Sequence, residues 1–277
     1  MRQIVSAKTI EEWEALDPQT QSVILNNIKL KNRLETWMKG QINRPALLEP
    51  IQKTCYRCEG TGTTTHYPRM PGIHPSQVAH SCMLRIYNQM IGKQGEERFD
   101  FRSQLIFNLG SQIHLMFQGY GRKGAWGPHY KDEVRITEEL QDIAYDLFLE
   151  GSADAENILI IDDIPDAPIY EVGIIHEYKS ININGFEKLA GPKPEHKLQA
   201  LIYSKALNRP IVCYMYMNKN DCTIADYPVG FSASAWKSLE EKLVRLNQFY
   251  NSGQPPPGTR AYHCRDCEFY KDCPDGK

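Results

Sequence analysis

Acidic and basic side chains meet at one place in the middle of the chain. Glu177-Tyr178-Lys179 lies near the end of a β-branched apolar run, IYEVGIIHEYKSI. Because side chains alternate between the two faces of a strand, Glu177 and Lys179 share one face and Tyr178 lies on the other. Asp154 ends another extended segment, and we expect a neighbouring strand to place its carboxylate beside Glu177. Two such oxygen ligands favour Mg²⁺ or Mn²⁺, and a water on that metal can attack a phosphodiester while Lys179 orients it.

Two other interpretations of these charges remain open. Alternating charges also occur on strand faces that point to solvent, so the acid-x-lysine triplet alone does not define an active site. Asp162, Asp163 and Asp166 are rival carboxylates, but IDDIPDAP has the composition of a turn between strands. A turn directs these side chains to solvent, so Asp154 is the preferred partner of Glu177.

Six of the eight cysteines are clustered along the chain: Cys55 and Cys58, then Cys82, then Cys264, Cys267 and Cys273. The cytosol keeps thiols reduced, so in a cytosolic protein clustered cysteines indicate metal ligands rather than disulfides. The last three cysteines supply three thiolates, which need a fourth ligand from elsewhere, and their spacing fits either zinc or an iron-sulfur cluster. Cys213 and Cys222 flank strand-like segments, where we expect ordinary buried thiols.

A second metal site is predicted in the first third of the chain. Its candidate ligands are Cys55, Cys58, His74 and His80, at intervals close to those of zinc fingers. His66 is an alternative ligand, because His80 lies only two residues from the next cysteine. Residues 54–75 are rich in Gly, Thr and Pro and cannot sustain a helix. We therefore expect a zinc-organised loop there, which is a candidate contact for DNA or a protein partner.

The overall composition narrows the class of protein. With 32 basic and 34 acidic residues among 277, there is no overall positive field, so binding of nucleic acid requires a local groove. The hydrophobic fraction of 41% is enough for a globular core. No apolar run approaches the ~20 residues of a membrane-spanning helix, and the first residues lack the apolar stretch of a signal peptide. We expect no membrane association and a cytoplasmic location, in a bacterium or a phage-infected host cell.

Hydrophobic periodicity predicts the elements that must hold these groups. Helical spacing predicts helices over 9–39, from Ser76 to about Met90, and over 103–120, 194–208 and 234–251. Alternation predicts strands near 133–136, 146–154, 156–163, 169–181, 211–217 and 222–229. This order indicates a mixed α/β core. The chain divides into a helical N-terminal extension (1–53), the zinc loop (54–75) and a core domain with the C-terminal cysteines (76–277). The extension is a candidate surface for a protein partner.

The candidate residues occur in the order His114, Asp154, Glu177-x-Lys179, Gln199-x3-Tyr203. This order resembles that of RecB-like nucleases of the PD-(D/E)XK superfamily, over roughly residues 74–275. The resemblance implies a restriction-endonuclease-like core, with a central mixed sheet flanked by helices, and a metal held by His114, Asp154 and Glu177. Gln199 and Tyr203, which share one helical face, are implied to reach the scissile phosphate or the substrate strand. One departure is that Asp154 follows Gly-Ser-Ala, where the superfamily name expects a proline.

The cysteine pattern resembles the iron-sulfur subgroup of these nucleases, which includes AddB and the CRISPR-associated RecB-like exonucleases. In that subgroup one cysteine precedes the histidine helix and three follow the core, and HPSQVAHSCMLRIYNQM resembles the first motif. The resemblance implies a structural 4Fe-4S cluster on Cys82, Cys264, Cys267 and Cys273. It also implies a metal-dependent DNA nuclease, expected to be an exonuclease on single strands or duplex ends in recombination, repair or phage DNA processing. The alternative is a non-catalytic DNA-binding adaptor with the same fold and cluster.

Overall fold

The fold is built on a central mixed sheet. This computed structural model describes residues 2–41, 74–79, 82–96, 101–136, 151–260, 264 and 267–274. The strands of the sheet are β1 (Ile4–Ala7), β2 (Lys131–Arg135), β3 (Ser152–Ile161), β4 (Ile169–Ile181), β5 (Ile211–Asn218) and β6 (Ile224–Gly230). They lie in the order β2-β3-β4-β5-β6, and β1 pairs with the first residues of β4. β4 is parallel to β1 and β5, and the remaining pairs are antiparallel.

Helices cover both faces of the sheet. The helices before β2 are α1 (Ile10–Glu14), α2 (Pro18–Asn27), α3 (Leu30–Gln41), α4 (Pro75–Val78), α5 (Met83–Met90) and α6 (Phe101–Arg122). Those after β4 are α7 (Ile183–Phe186), α8 (Pro194–Ala206) and α9 (Ala233–Ser252), followed by a 3-10 turn at Tyr270–Asp272. None of the helices that the structure describes combines the length and the apolar character needed to span a bilayer.

The sheet separates two hydrophobic cores. On one face α4, α5, α8 and α9 pack against residues such as Ile175 and Tyr214. On the opposite face α1, α2, α3 and α6 pack against residues such as Val172 and Met215. All eight residues of β5 are buried, as expected for an apolar strand covered on both sides. This arrangement places α6 and α8 on opposite sides of β4, and both helices carry candidate site residues.

The described N-terminal residues, which fall within the predicted helical extension over 1–53, contribute a strand to the sheet and pack on one of the two cores. Ile4–Ala7 form β1 in the central sheet, and α1, α2 and α3 pack on the second core. Gly173 of β4 permits this close approach, because a Cβ at that position would collide with the carbonyl oxygen of Lys8. A strand of four residues is too short to show a clear alternation in the sequence.

The helix boundaries differ from the sequence prediction at two places. The segment 9–39 contains three helices rather than one, because Asp17 caps α2 and Pro18 occupies its first position. The helix expected from Ser76 to about Met90 is divided into α4 and α5, with Cys82 in an extended conformation before α5. The strands predicted separately at 146–154 and 156–163 form one strand, β3, in the described residues. The other predicted helices and strands lie within a few residues of their expected places where the structure describes them.

Candidate active site

Asp154 and Glu177 lie beside each other on adjacent antiparallel strands. The last register pair of β3 and β4 on this side is Ala155↔His176, so the next residues along the two strands are Asp154 and Glu177. Asp154 is the third residue of β3, a strand of ten residues, and does not end a strand as the sequence suggested. Lys179 follows Glu177 on the same face of β4. The structure therefore brings these three side chains together.

The Asp154 carboxylate is held from two sides. Oδ1 lies 3.1 Å from Nδ1 of His114 on α6, and Oδ2 accepts the backbone N–H of Tyr178 at 2.7 Å. One turn after His114, Gln118 donates to the carbonyl oxygen of Asp154 at 3.3 Å. Burial alone would raise the pKa of Asp154, but the hydrogen bond and charge of His114 and the charge of Lys179 outweigh it and lower that pKa. Asp154 is therefore an ionised carboxylate whose orientation α6 fixes.

Glu177 begins a series of hydrogen bonds that runs from β4 to α8. Its Oε1 accepts from Lys179 Nζ at 2.5 Å, and Lys179 also donates to Oε1 of Gln199 at 3.3 Å. Nε2 of Gln199 in turn donates to the Tyr203 hydroxyl at 3.3 Å. Glu177 is only 1% exposed, and its second oxygen, Oε2, is buried without a hydrogen-bond partner among the described residues. One carboxylate oxygen is thus left available to a ligand.

Burial and the neighbouring charges shift the pKa values of these groups. Burial raises the pKa of Glu177 to about 7, against the opposing effect of the Lys179 charge. Burial would lower the pKa of Lys179, but the negative charges of Glu177 and Asp154 raise it. Burial would also lower the pKa of His114, and its hydrogen bond to Asp154 raises it instead. Lys179 is consequently a charged donor at neutral pH, and perturbed groups clustered in this way are typical of functional sites.

The donor types of this cluster fit a divalent cation. Carboxylate oxygens are the ligands that Mg²⁺ prefers, and Mn²⁺ also accepts carboxylates and imidazole. Three of the four carboxylate oxygens are engaged, by His114, by the Tyr178 amide and by Lys179. Within the described ranges, no three or more His, Cys, Asp and Glu side chains are arranged to hold a metal ion. The buried Oε2 of Glu177 is the acceptor that these contacts leave for a cation.

The C-terminal cysteine segment returns to the helix that follows Cys82. Glu268, the neighbour of Cys267, forms an ion pair with Arg85 at 2.8 Å and accepts from Gln89 at 2.5 Å. Burial raises the pKa of Cys267, and the charge of Glu268 raises it further. The tail is therefore docked on α5, the helix whose N-cap residue is Cys82.

The four predicted cluster ligands differ in burial. Cys82 is buried, and Cys264, Cys267 and Cys273 are half-buried. None of the cysteines that the structure describes forms a disulfide. The four thiols are also not gathered into a metal-holding group in the described part of the chain. Thiolates are the ligands of iron-sulfur clusters, and the cluster stays a prediction.

The predicted zinc loop falls largely outside the described residues. Cys55, Cys58 and His80, as well as the alternative ligand His66, all lie there. His74 is described, and it precedes α4 as the N-cap residue, where its backbone N–H donates to Gln77. The zinc site therefore stays a prediction.

Sequence reasoning missed two groups beside the site. Gln118 follows His114 by four residues and was hidden in an apolar helical pattern. His196 precedes Gln199 by three residues on α8, and its Nδ1 lies 2.7 Å from the Tyr216 hydroxyl. The spacing of His196, Gln199 and Tyr203 at i, i+3 and i+7 was visible in the sequence and places all three on one helical face.

Comparison with known proteins gives distant structural similarity. No family model and no curated protein matches the chain. SSO0001 is 18% identical, with a TM-score of 0.49 over 90% of this chain and 95% of that one. The alkaline exonuclease LHK-Exo from Laribacter hongkongensis, in complex with dAMP, is 13% identical, with a TM-score of 0.44 over 67% and 90% of the two chains. A second structure of that exonuclease has a TM-score of 0.43 over the same shares. Because identity and TM-score are this low, the function of the chain rests on its own residues.

Proposed function

We propose that this protein is a divalent-metal-dependent deoxyribonuclease. The observation that carries the proposal is the buried Oε2 of Glu177, which has no partner among the described residues and lies opposite Asp154 with Lys179 beside it. Leaving a buried acceptor unsatisfied costs about 1–3 kcal/mol, or more when it is charged. A divalent cation removes this cost, and a phosphodiester brings the negative charge that a metal and a lysine stabilise.

In the proposed mechanism each residue has one task. Asp154 and Glu177 would bind Mg²⁺ or Mn²⁺, with His114 as the proposed third ligand. A divalent cation held there would supply positive charge for the phosphate and would lower the pKa of water. Lys179, which is charged at neutral pH, donates to the phosphate oxygen on which negative charge develops. Gln199 fixes the position of Lys179 through its 3.3 Å hydrogen bond.

The proposed substrate is DNA, cleaved as an exonuclease from single strands or duplex ends. The ordered set of site residues, and its resemblance to RecB-like nucleases, supports this choice. The test is digestion of end-labelled single-stranded, duplex and circular DNA in Mg²⁺, Mn²⁺ or EDTA. An exonuclease shortens both linear substrates, or one of them, and spares the circle. A DNA-binding adaptor would retard the DNA in a gel and leave every substrate intact.

We further propose that Cys82, Cys264, Cys267 and Cys273 hold a 4Fe-4S cluster with a structural role. The docking of Glu268 on Arg85 supports this, because it carries the C-terminal cysteines back toward Cys82. Thiolates are the ligands of such clusters. The cluster would join the tail to the beginning of the core, and no redox step is assigned to it.

A further inference from the structure

A third polar residue of α8 lies next to the candidate site. His196 precedes Gln199 by less than one helical turn, and Gln199 contacts Lys179. The spacing places His196, Gln199 and Tyr203 along one face of the helix. The polar groups of the site therefore extend beyond Lys179 toward the beginning of α8.

The orientation of the His196 ring follows from its contact with Tyr216. The Tyr216 hydroxyl accepts the backbone N–H of Lys193 at 3.1 Å and lies 2.7 Å from Nδ1 of His196. Tyr216 is fully buried, and its hydroxyl hydrogen has Nδ1 of His196 as its acceptor. From these contacts we assign the tautomer in which Nδ1 is unprotonated and Nε2 carries the hydrogen. The two rings also stack, with centroids 5.7 Å apart and planes at 27°.

The Nε2–H group of His196 is free to bind a ligand. It makes no hydrogen bond with any described residue, and it is not among the fully buried polar atoms that lack a partner. Burial of the ring lowers the pKa of His196 to about 3, and the charges of Lys179 and Lys193 lower it further. The imidazole is therefore neutral at physiological pH. It is a fixed donor beside two cations, near the N-terminus of α8, where the helix dipole also favours an anion.

We infer that His196 is a DNA-binding residue whose Nε2–H donates to a non-bridging oxygen of a phosphate neighbouring the scissile phosphodiester. Tyr216 acts as a positioning residue, because its hydroxyl selects the tautomer and fixes the ring. This inference rests on the proposed nuclease function and adds a contact that holds the substrate strand. Since the contact is made to a phosphate that does not react, it contributes equally before and during cleavage.

The first experiment measures kcat and KM of the full chain on a labelled oligonucleotide. A hydrogen bond to a charged group is worth enough that His196→Ala raises KM by about tenfold, with little change in kcat. His196→Gln, which keeps an N–H donor at a similar reach, restores most of the loss. Tyr216→Phe, which releases the ring, gives a smaller increase in KM. The matched control is His129→Ala, because His129 is exposed and precedes β2 at the other edge of the sheet.

The second experiment replaces single phosphates of the oligonucleotide by uncharged methylphosphonates. We expect one position next to the cleaved bond where the replacement raises the KM of the wild-type protein. The same replacement should not raise the KM of His196→Ala any further. The inference is overturned if His196→Ala keeps the wild-type KM, or if its KM exceeds that of wild type by the same factor on every analogue. The nuclease function stands in either case. If the wild-type protein cleaves no DNA, the proposed function fails and the inference fails with it. If His196 had only a structural role, His196→Ala would lower the melting temperature of the protein. The increase in KM would then be the same for every methylphosphonate position.

Discussion

Replacing Glu177 by glutamine should abolish cleavage and stabilise the fold at the same time. Glu177 is 1% exposed, one of its oxygens has no partner among the described residues, and burial raises its pKa to about 7. The ionised carboxylate is therefore held in a place that favours its neutral form. Glutamine keeps the shape of the neutral form and removes the negative charge that a metal needs.

The size of the effect follows from the pKa. Its ordinary value is 4.5 and its value in the folded protein is about 7. Each pKa unit corresponds to about 1.4 kcal/mol, so ionised Glu177 lowers the free energy of unfolding by about 3 kcal/mol. Below pH 4.5 the group is protonated in both states and the cost is absent. The cost grows as pH rises, because the folded state holds the proton longer, and it is complete above about pH 7.

The assay is urea unfolding of wild type and Glu177→Gln at pH 5 and pH 8 in EDTA, with cleavage measured in parallel. We expect the variant to exceed wild type by up to about 3 kcal/mol at pH 8 and by much less at pH 5. Glu241→Gln, a change at an exposed residue of α9, is the control and should leave both quantities unaltered. Equal stabilities at pH 8, or a difference that does not depend on pH, would refute the assignment of a costly buried charge to Glu177.

Three further predictions concern the lysine, the cysteines and the C-terminal tail. Lys179→Ala should lower the initial rate of cleavage by about 100-fold or more while DNA retardation in gels persists, and a rate near wild type would remove Lys179 from the mechanism. Anaerobically purified protein should be brown, and Cys82→Ala should lose both the colour and the iron, whereas the control Cys213→Ala should keep them. A colourless wild-type protein that contains zinc would contradict the cluster. Glu268→Gln should lower the free energy of unfolding by up to about 1 kcal/mol at neutral pH, as for an ion pair that keeps some contact with solvent. Burial would raise the pKa of Glu268, but its backbone N–H and the contacts with Arg85 lower that pKa. The stability difference should therefore vanish as pH falls through the pKa of Glu268. A difference that persists in acid would exclude the ion pair as its cause.

The sequence carried the information for most of the strands and for the order of the site residues. The alternation around Glu177 predicts the shared face with Lys179, and the four-residue spacing of Gln199 and Tyr203 predicts the side of α8 on which they form their 3.3 Å hydrogen bond. Local patterns of this kind need no knowledge of the tertiary structure. Two extended segments led us to expect Asp154 and Glu177 side by side on neighbouring strands. The register Ala155↔His176 places them in this way.

Contacts between distant parts of the chain were not available from local patterns. Tyr216 meets His196 because β5 pairs with β4 in the register Lys179↔Tyr216, which no feature of either segment fixes alone. The same holds for Glu268 and Arg85, whose ion pair depends on the path of the whole tail. β1 was missed because its four residues pair with a strand far along the chain. In each case tertiary packing, rather than local preference, decides the outcome.

The most direct test of the account is metal-dependent cleavage of end-labelled linear DNA by wild type and Asp154→Ala, compared with an exposed control, Asp163→Ala, in the turn between β3 and β4. We expect wild type and the control to release labelled nucleotides or short fragments in Mg²⁺ or Mn²⁺ and to be inactive in EDTA. Asp154→Ala should be folded and inactive under all three conditions, because it removes a ligand on which the metal depends. Cleavage by Asp154→Ala at the wild-type rate, or cleavage by wild type in EDTA, would contradict the central claim that Asp154 and Glu177 form a metal-dependent nuclease site.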